Sequence, residues 1–336
     1  MSPSSPPNPL ADAEPKHGFY GRLKAEFPSQ LLVDATEICN LACVHCPHPT
    51  FKKSHHYDGR SVSPELNAKL VNEVRDHGQG HTLYIRYASN GEPLTHPHIY
   101  EMMGYAKKHS GALVTLTTNG KLMTQPRIEQ ILEAGVDVVD ISLDAFSPEV
   151  YAKVRVGGNL VVTRANVLQL IDSIRRNNLS TKVVVSYVEQ PANQHESDLF
   201  NDFWKTAGAN YVVIRRLHSC SGAKEGLAAE RRVENEAAGA RRACLYPWER
   251  IVLNARGDLA FCPSDWVHGS FITDYRTTTI KEVWQGEFYR KLREAHLNND
   301  YSCHGFCGQC PDWKSTRWPD EGRSYANMIE EFKALE

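Results

Sequence analysis

From residue 31 to residue 216 the chain alternates short apolar strands with amphipathic helices, six times over. Strand patterns fall at 31–36, at Leu83, Ile85 and Tyr87, and at 113–118, 136–143, 182–188 and 211–216. Between them, Ser63-Pro64 opens a helix with Leu66, Leu70, Val71 and Val74 on one face. Pro97 opens a second, with Ile99, Met102, Met103 and Ala106 on its apolar face. Thr124 caps a third, a short helix passes Arg155, a longer one covers about 161–177, and Leu199 to Trp204 mark the last. Such alternation dictates a parallel α/β sheet with right-handed crossovers. A flat doubly wound sheet and a curved partial barrel remain open at this level. Both place chemistry at strand C-termini.

The remaining bounds are broad. A chain of 336 residues accommodates one large domain and a small one. With a net charge of −2 there is no basic field for nucleic acid. No apolar run is long enough to span a membrane. The first fifteen residues are rich in Ser and Pro and lack an apolar core, so they read as a disordered tail, not a signal peptide. The expected location is therefore the cytoplasm, where thiols stay reduced. Nine cysteines in clustered spacings then favour metal or cluster ligation over disulfides.

Cys39, Cys43 and Cys46 form a C-x3-C-x2-C run directly after the first strand. Three thiolates on one loop can hold three irons of a cubane [4Fe–4S] cluster and leave the fourth open. Structural zinc is the competing reading, with His45 or His48 as fourth ligand. The run, its position after strand one and Pro47 behind it resemble the radical S-adenosylmethionine (radical SAM) superfamily. That resemblance implies a partial (βα)6 TIM-like barrel over roughly 28–220 and an open iron that binds SAM. It also implies reductive cleavage to a 5′-deoxyadenosyl radical that takes a hydrogen atom from substrate. An electron donor such as flavodoxin or ferredoxin is implied with it.

A second cysteine group follows a Gly-, Ala-, Glu- and Arg-rich stretch at 221–243. Ile251, Leu253, Gly257-Asp258, Leu259 and Phe261 outline a hairpin ending at Cys262. Cys244, Cys262, Cys307 and Cys310 suit either a structural zinc or a saturated [4Fe–4S] cluster. With the Trp-bearing helix before the C-x2-C pair, they resemble the twitch module, a shortened SPASM domain. The resemblance implies one auxiliary [4Fe–4S] cluster in a domain at 244–336. Cys303 is left either as a substitute for Cys307 or as a free thiol. The tail is placed at 1–27.

Matched residue by residue, Asn90-Gly91-Glu92-Pro93 resembles the family's Gly-Gly-Glu-Pro motif, with Asn in place of the first Gly. The resemblance puts these four residues, Asn119, Ser142, Asp144 and Arg155 on SAM. Glu189, Arg215 and Arg216 end strands five and six and are expected to border the substrate. An arginine there can clamp a carboxylate or phosphate, and Glu189 can bond a hydroxyl or take a proton. Asp265, three residues past Cys262, is a candidate base, and Cys220 a candidate hydrogen-atom donor or buried thiol. The arrangement resembles natural-product tailoring enzymes. One group is of the 2-deoxy-scyllo-inosamine dehydrogenase type, which oxidises a carbinol; another is of the cytosylglucuronate decarboxylase type. The expected partner is a small hydroxylated molecule, with no nucleic acid and no membrane. A peptide-modifying maturase and a non-catalytic zinc protein are the alternatives.

Overall fold

The computed structural model describes residues 26–88, 90–224, 226, 241 and 243–315. Most of the 221–243 stretch and an amphipathic pattern at 325–335 lie outside the described residues. Phe27, assigned to the tail on sequence, is fully buried in the main core.

Six strands, β1 (Gln30–Asp34), β2 (Tyr84–Ala88), β3 (Leu113–Thr118), β4 (Val138–Ser142), β5 (Lys182–Glu189) and β6 (Tyr211–Arg216), pair in parallel in chain order. The helices between them cover one face: α1 (His48–Phe51), α2 (Pro64–His77), α3 (Ile99–His109), α4 (Gln125–Glu133), α5 (Pro148–Val154), α6 (Leu160–Arg176) and α7 (Ser197–Ala207). Alternation along each strand divides the side chains between two faces. Leu31, Val33, Ile85, Tyr87, Leu116, Ile141, Val185 and Tyr187 enter the helix-facing core. The opposite, inner face begins with an apolar floor of Tyr84, Val138 and Val184. Above that floor it becomes polar.

Local sequence explains where the helices start. Ser63, Ser147 and Asn159 each accept a backbone N–H from their helix's first turn, with prolines in position behind the two serines.

Beyond β1 the sheet continues. β7 (Arg250–Leu253) pairs in parallel with β1, Gln30 opposite Arg250 and Val33 opposite Leu253. β8 (Asp258–Ala260) and β9 (Phe271–Asp274) then add antiparallel strands, giving one nine-stranded sheet ordered β6-β5-β4-β3-β2-β1-β7-β8-β9. The hairpin was expected from sequence; its docking on β1 and the third strand were not. The remaining helices are α8 (Tyr246–Glu249), α9 (Ile280–Gln285), α10 (Glu287–Asn298) and α11 (Gly305–Gln309). Glu73 on α2 ties this C-terminal part to the barrel. It accepts from Tyr275 Oη and from the N–H of Ile280, both at 2.7 Å, at the start of α9. Lys69 donates to the carbonyls of Tyr275 and Thr278.

Candidate active site between two cysteine groups

The first cysteine loop is held on both sides by backbone. Ala42 and Val44 donate to the carbonyls of Val156 and Val154, at the C-terminal end of α5. On the other side, Glu92 N–H and Thr95 Oγ1 donate to Ile38 O. Gly91 is pressed against the same segment: a Cβ there would lie 2.1 Å from Thr36 O and 2.6 Å from Ile38 O. The Asn-Gly-Glu-Pro turn therefore buttresses the loop. Glu92, 2% exposed, is committed to its own chain. Its oxygens accept from Thr118 Oγ1 at 2.6 Å, Asn119 N at 2.7 Å and Leu94 N at 3.1 Å, pinning the tip of β2 to that of β3. Asn119 Nδ2 in turn donates to Asn40 Oδ1 at 2.7 Å.

Asp144 sits just past β4 with φ of 60° and is fully buried. One oxygen accepts from Val188 N at 2.6 Å. The other takes Arg155 Nε at 2.8 Å and Arg155 Nη2 at 2.5 Å. His45 Nε2 lies 3.4 Å from the same oxygen, and its Nδ1 faces Gln190 Nε2 at 3.2 Å. Burial holds the His45 imidazole down at about 4, against the pull of Asp144, so the ring is neutral. Sequence reasoning treated His45 only as a metal ligand. Its position between two cluster cysteines was the available signal. Ser142 lies on the inner face at the end of β4, opposite Ser186.

The three thiols of the first loop act on one another electrostatically. Burial pushes Cys39 up to about 11 and Cys46 to about 12, and each is raised further by Cys43. In the second group burial raises Cys244 and Cys307 to about 12, with Glu249 and then Cys307 adding to the first and Cys262 and Cys310 to the second. Cys262 is raised the same way, with Cys244 beside it, and Cys310 acts on Cys307. Cys303 is exposed, and the charged group it influences is Lys291. A buried thiol that must ionise needs a metal to hold its charge. Among the described residues no three His, Cys, Asp or Glu side chains converge tightly enough for a single metal ion. A cubane spreads its thiolates wider than one ion does. Asn40 Nδ2, buried without a partner in the first loop, is a donor left for whatever covers it. These donor sets fit iron–sulfur clusters.

The inner face below this loop is a polar network. Asp140, 1% exposed, faces Arg86 Nη2 at 3.4 Å and Arg215 Nη2 at 2.9 Å, and accepts from Ser186 Oγ. Arg86 Nε also donates to Thr117 Oγ1 at 2.9 Å. The sequence reading named Arg215 but missed Arg86, Asp140 and Ser186. Arg216 and Glu189 are paired in register on the other face of the sheet, away from Arg215. Asp265 is spent on its own loop: Oδ1 accepts from Val267 N and Gly269 N, Oδ2 from Ser270 N and Oγ. Cys220 has φ of 53° in the loop after β6, and its thiol acts electrostatically on Cys46. The adjacent Ser221 Oγ lies 3.9 Å from Cys262 Sγ, so one loop touches both cysteine groups. The polar segment at 51–60 is docked on the C-terminal part: Phe51 packs on Trp266, and Arg256 pairs with Asp58 at 3.0 Å.

Residues 33–195 match the model of the radical SAM superfamily, and residues 244–311 that of SPASM, an iron–sulfur cluster-binding domain. The chain carries a radical SAM domain followed by a SPASM domain. This radical SAM chain is 30% identical over 195 residues to a probable GTP 3′,8-cyclase of Methanococcus maripaludis, 58% of this chain and 60% of the relative. It thus spans about 60% of the length of the first curated relatives it matches. Among solved structures it is similar to BtrN in complex with AdoMet and 2-DOIA. That match has a TM-score of 0.56 at 15% identity, covering 84% of this chain and 92% of BtrN. It is also similar to Streptococcus suis SuiB bound to the precursor peptide SuiA, with a TM-score of 0.61 at 14% identity, covering 91% and 73%. At these identities the structures show the shared fold. The radical SAM and SPASM domains carry [4Fe–4S] chemistry and SAM as cofactors, and the zinc alternative gives way to them. Among the described residues no helix is long and apolar enough to cross a membrane.

Proposed function

We propose that this radical SAM enzyme abstracts a hydrogen atom from a small hydroxylated natural-product intermediate, a sugar uronate or an aminocyclitol, in antibiotic biosynthesis. Decarboxylation or carbinol oxidation follows. Cys39, Cys43 and Cys46 hold the cluster with the open iron, and Cys244, Cys262, Cys307 and Cys310 hold one auxiliary cluster. When bound, SAM and the clusters supply the 5′-deoxyadenosyl radical and a route for electrons.

The chain's own residues position and shield. The turn from Asn90 to Pro93 supports the cysteine loop, and Asn119, Ser142, Asp144 and Arg155 surround the SAM side. Arg155 keeps its charge against Asp144 and reaches toward Cys43. The single observation that carries the substrate reading is Arg215 on the inner face, beside Arg86 and Asp140. Guanidinium groups at that depth suit an anionic group on a compact substrate. The similarity to BtrN, whose complex contains 2-DOIA, supports the same class. Glu189 and Arg216 border the outer rim, and electrons come from a flavodoxin or ferredoxin. The likeness to SuiB bound to a precursor peptide favours the second reading, a peptide-modifying enzyme.

Anaerobic turnover with deuterated candidate cyclitols and uronates tests the proposal. Label from one carbon should appear in 5′-deoxyadenosine. Transfer only from a labelled peptide would replace this reading with the second.

A further inference from the structure

A small pocket of about 20 Å³, room for one water-sized group, opens where the tips of β1 and β2 meet the β7–β8 hairpin, with Cys262 at its edge. Its polar wall includes Asp34, Glu37, Asn90 and Asp265. Two of these are already spent. Glu37 accepts from Asp58 N and Arg60 N at 3.0 Å and faces Arg256 Nε at 3.5 Å. Asp265 takes three backbone N–H groups and the Ser270 hydroxyl, as described above.

Asn90 and Asp34 are left for an occupant. Asn90 Nδ2 donates to Asp265 O at 3.1 Å, which fixes the amide orientation. Its Oδ1 is buried with no partner. An orphaned acceptor of this kind costs about 1–3 kcal/mol unless something fills it. Asp34, 2% exposed, accepts from Asn90 N at 2.9 Å and also interacts with the Ala255 N–H. Burial, and then Glu37, lift its carboxyl to about 8, so near neutral pH it carries a proton and can donate. Asn90 is the residue that departs from the family's Gly-Gly-Glu-Pro pattern. Its side chain reaches this cavity, where glycine would leave the wall bare.

We propose that Asn90 Oδ1 and the Asp34 carboxyl form a subsite for one neutral hydroxyl of the substrate, between the SAM side and the Cys262 side. The hydroxyl donates to Asn90 and accepts from Asp34. Two neighbouring carboxylates exclude an anion here, so a carboxylate or phosphate on the same molecule lies toward Arg215. The proposal rests on the reading of the substrate as a small hydroxylated molecule.

Anaerobic calorimetric titration of the reconstituted, SAM-loaded full chain tests it, with scyllo-inositol and glucuronate as probes. Asn90→Gly and Asp34→Ala should each weaken binding about three- to tenfold, one hydrogen bond's worth. Iron content and circular dichroism serve as folding controls. Equal affinity in all three proteins overturns the subsite and leaves the substrate reading standing. If neither probe binds the wild type and a peptide is turned over instead, the reading falls and takes the subsite with it.

Discussion

The carbonyl oxygen of Thr36 occupies the place where a side chain on Gly91 would begin. A Cβ on residue 91 would stand 2.1 Å from that oxygen. The turn after β2 and the segment leading to Cys39 therefore touch backbone to backbone, and the touch depends on glycine.

Gly91→Ala forces Thr36 and Ile38 away from the turn and moves the cysteine loop with them. The strain is on the order of 1–3 kcal/mol. We expect folded protein that loads less iron than the wild type and loses most SAM cleavage. Iron assay of anaerobically reconstituted protein checks this; wild-type iron and activity would refute it.

The pair of Asp144 and Arg155 is buried on both sides, so removing one member strands the other. Asp144→Ala leaves the Arg155 guanidinium uncompensated and the Val188 N–H unpaired. A loss of about 3–5 kcal/mol follows for a broken buried pair. Urea unfolding midpoints measure it, and a change within error of zero would count against the pairing.

Cys303 and Cys307 separate cleanly in surroundings, so their substitutions should separate too. Cys303→Ser is expected to keep the full iron content. Cys307→Ala should lose about four irons while the three-cysteine loop keeps its own. Iron and sulfide assays distinguish the two, and loss of iron in Cys303→Ser would reassign the ligand.

Asp34 gives stability a slope with pH. Below its unfolded value of 3.8 both states hold the proton and nothing is contributed. Between 3.8 and about 8 the unfolded carboxyl is ionised while the folded one stays protonated, so stability falls as pH rises, then levels off. Asp34→Asn removes this slope. The variant should gain on the wild type by a few kcal/mol at pH 9 and little at pH 4. Parallel unfolding midpoints at both values would decide it.

Much of the barrel could be read from the chain because its signals are local. Strand alternation, the serines capping α2 and α5 and the three-cysteine run each sit within a few residues. The pairing of β7 with β1 could not, since its partners are about 220 residues apart and leave no local trace. Ile251, Val252 and Leu253, each at most 3% exposed, did carry the mark of an interior strand. At the site, the alternation of side chains along β6 separated Arg215 from Arg216, which a reading by proximity in sequence had left together. Arg86 escaped notice because nothing near it in sequence suggests chemistry. It becomes relevant only through Asp140, two strands away. Asp265 looked like a free base because its bonding partners are main-chain N–H groups, which residue identities do not reveal.

Because β1 hydrogen-bonds to β2 on one edge and to β7 on the other, Gln30 to Val33 serve as a common spine for both halves. The spacing between Cys39 at one end of that spine and Cys262 beyond the hairpin is a property of the sheet and not of a flexible hinge. Grafting this C-terminal unit onto another barrel would therefore transplant the spacing of the two cysteine groups only if the recipient's first strand accepts the same register.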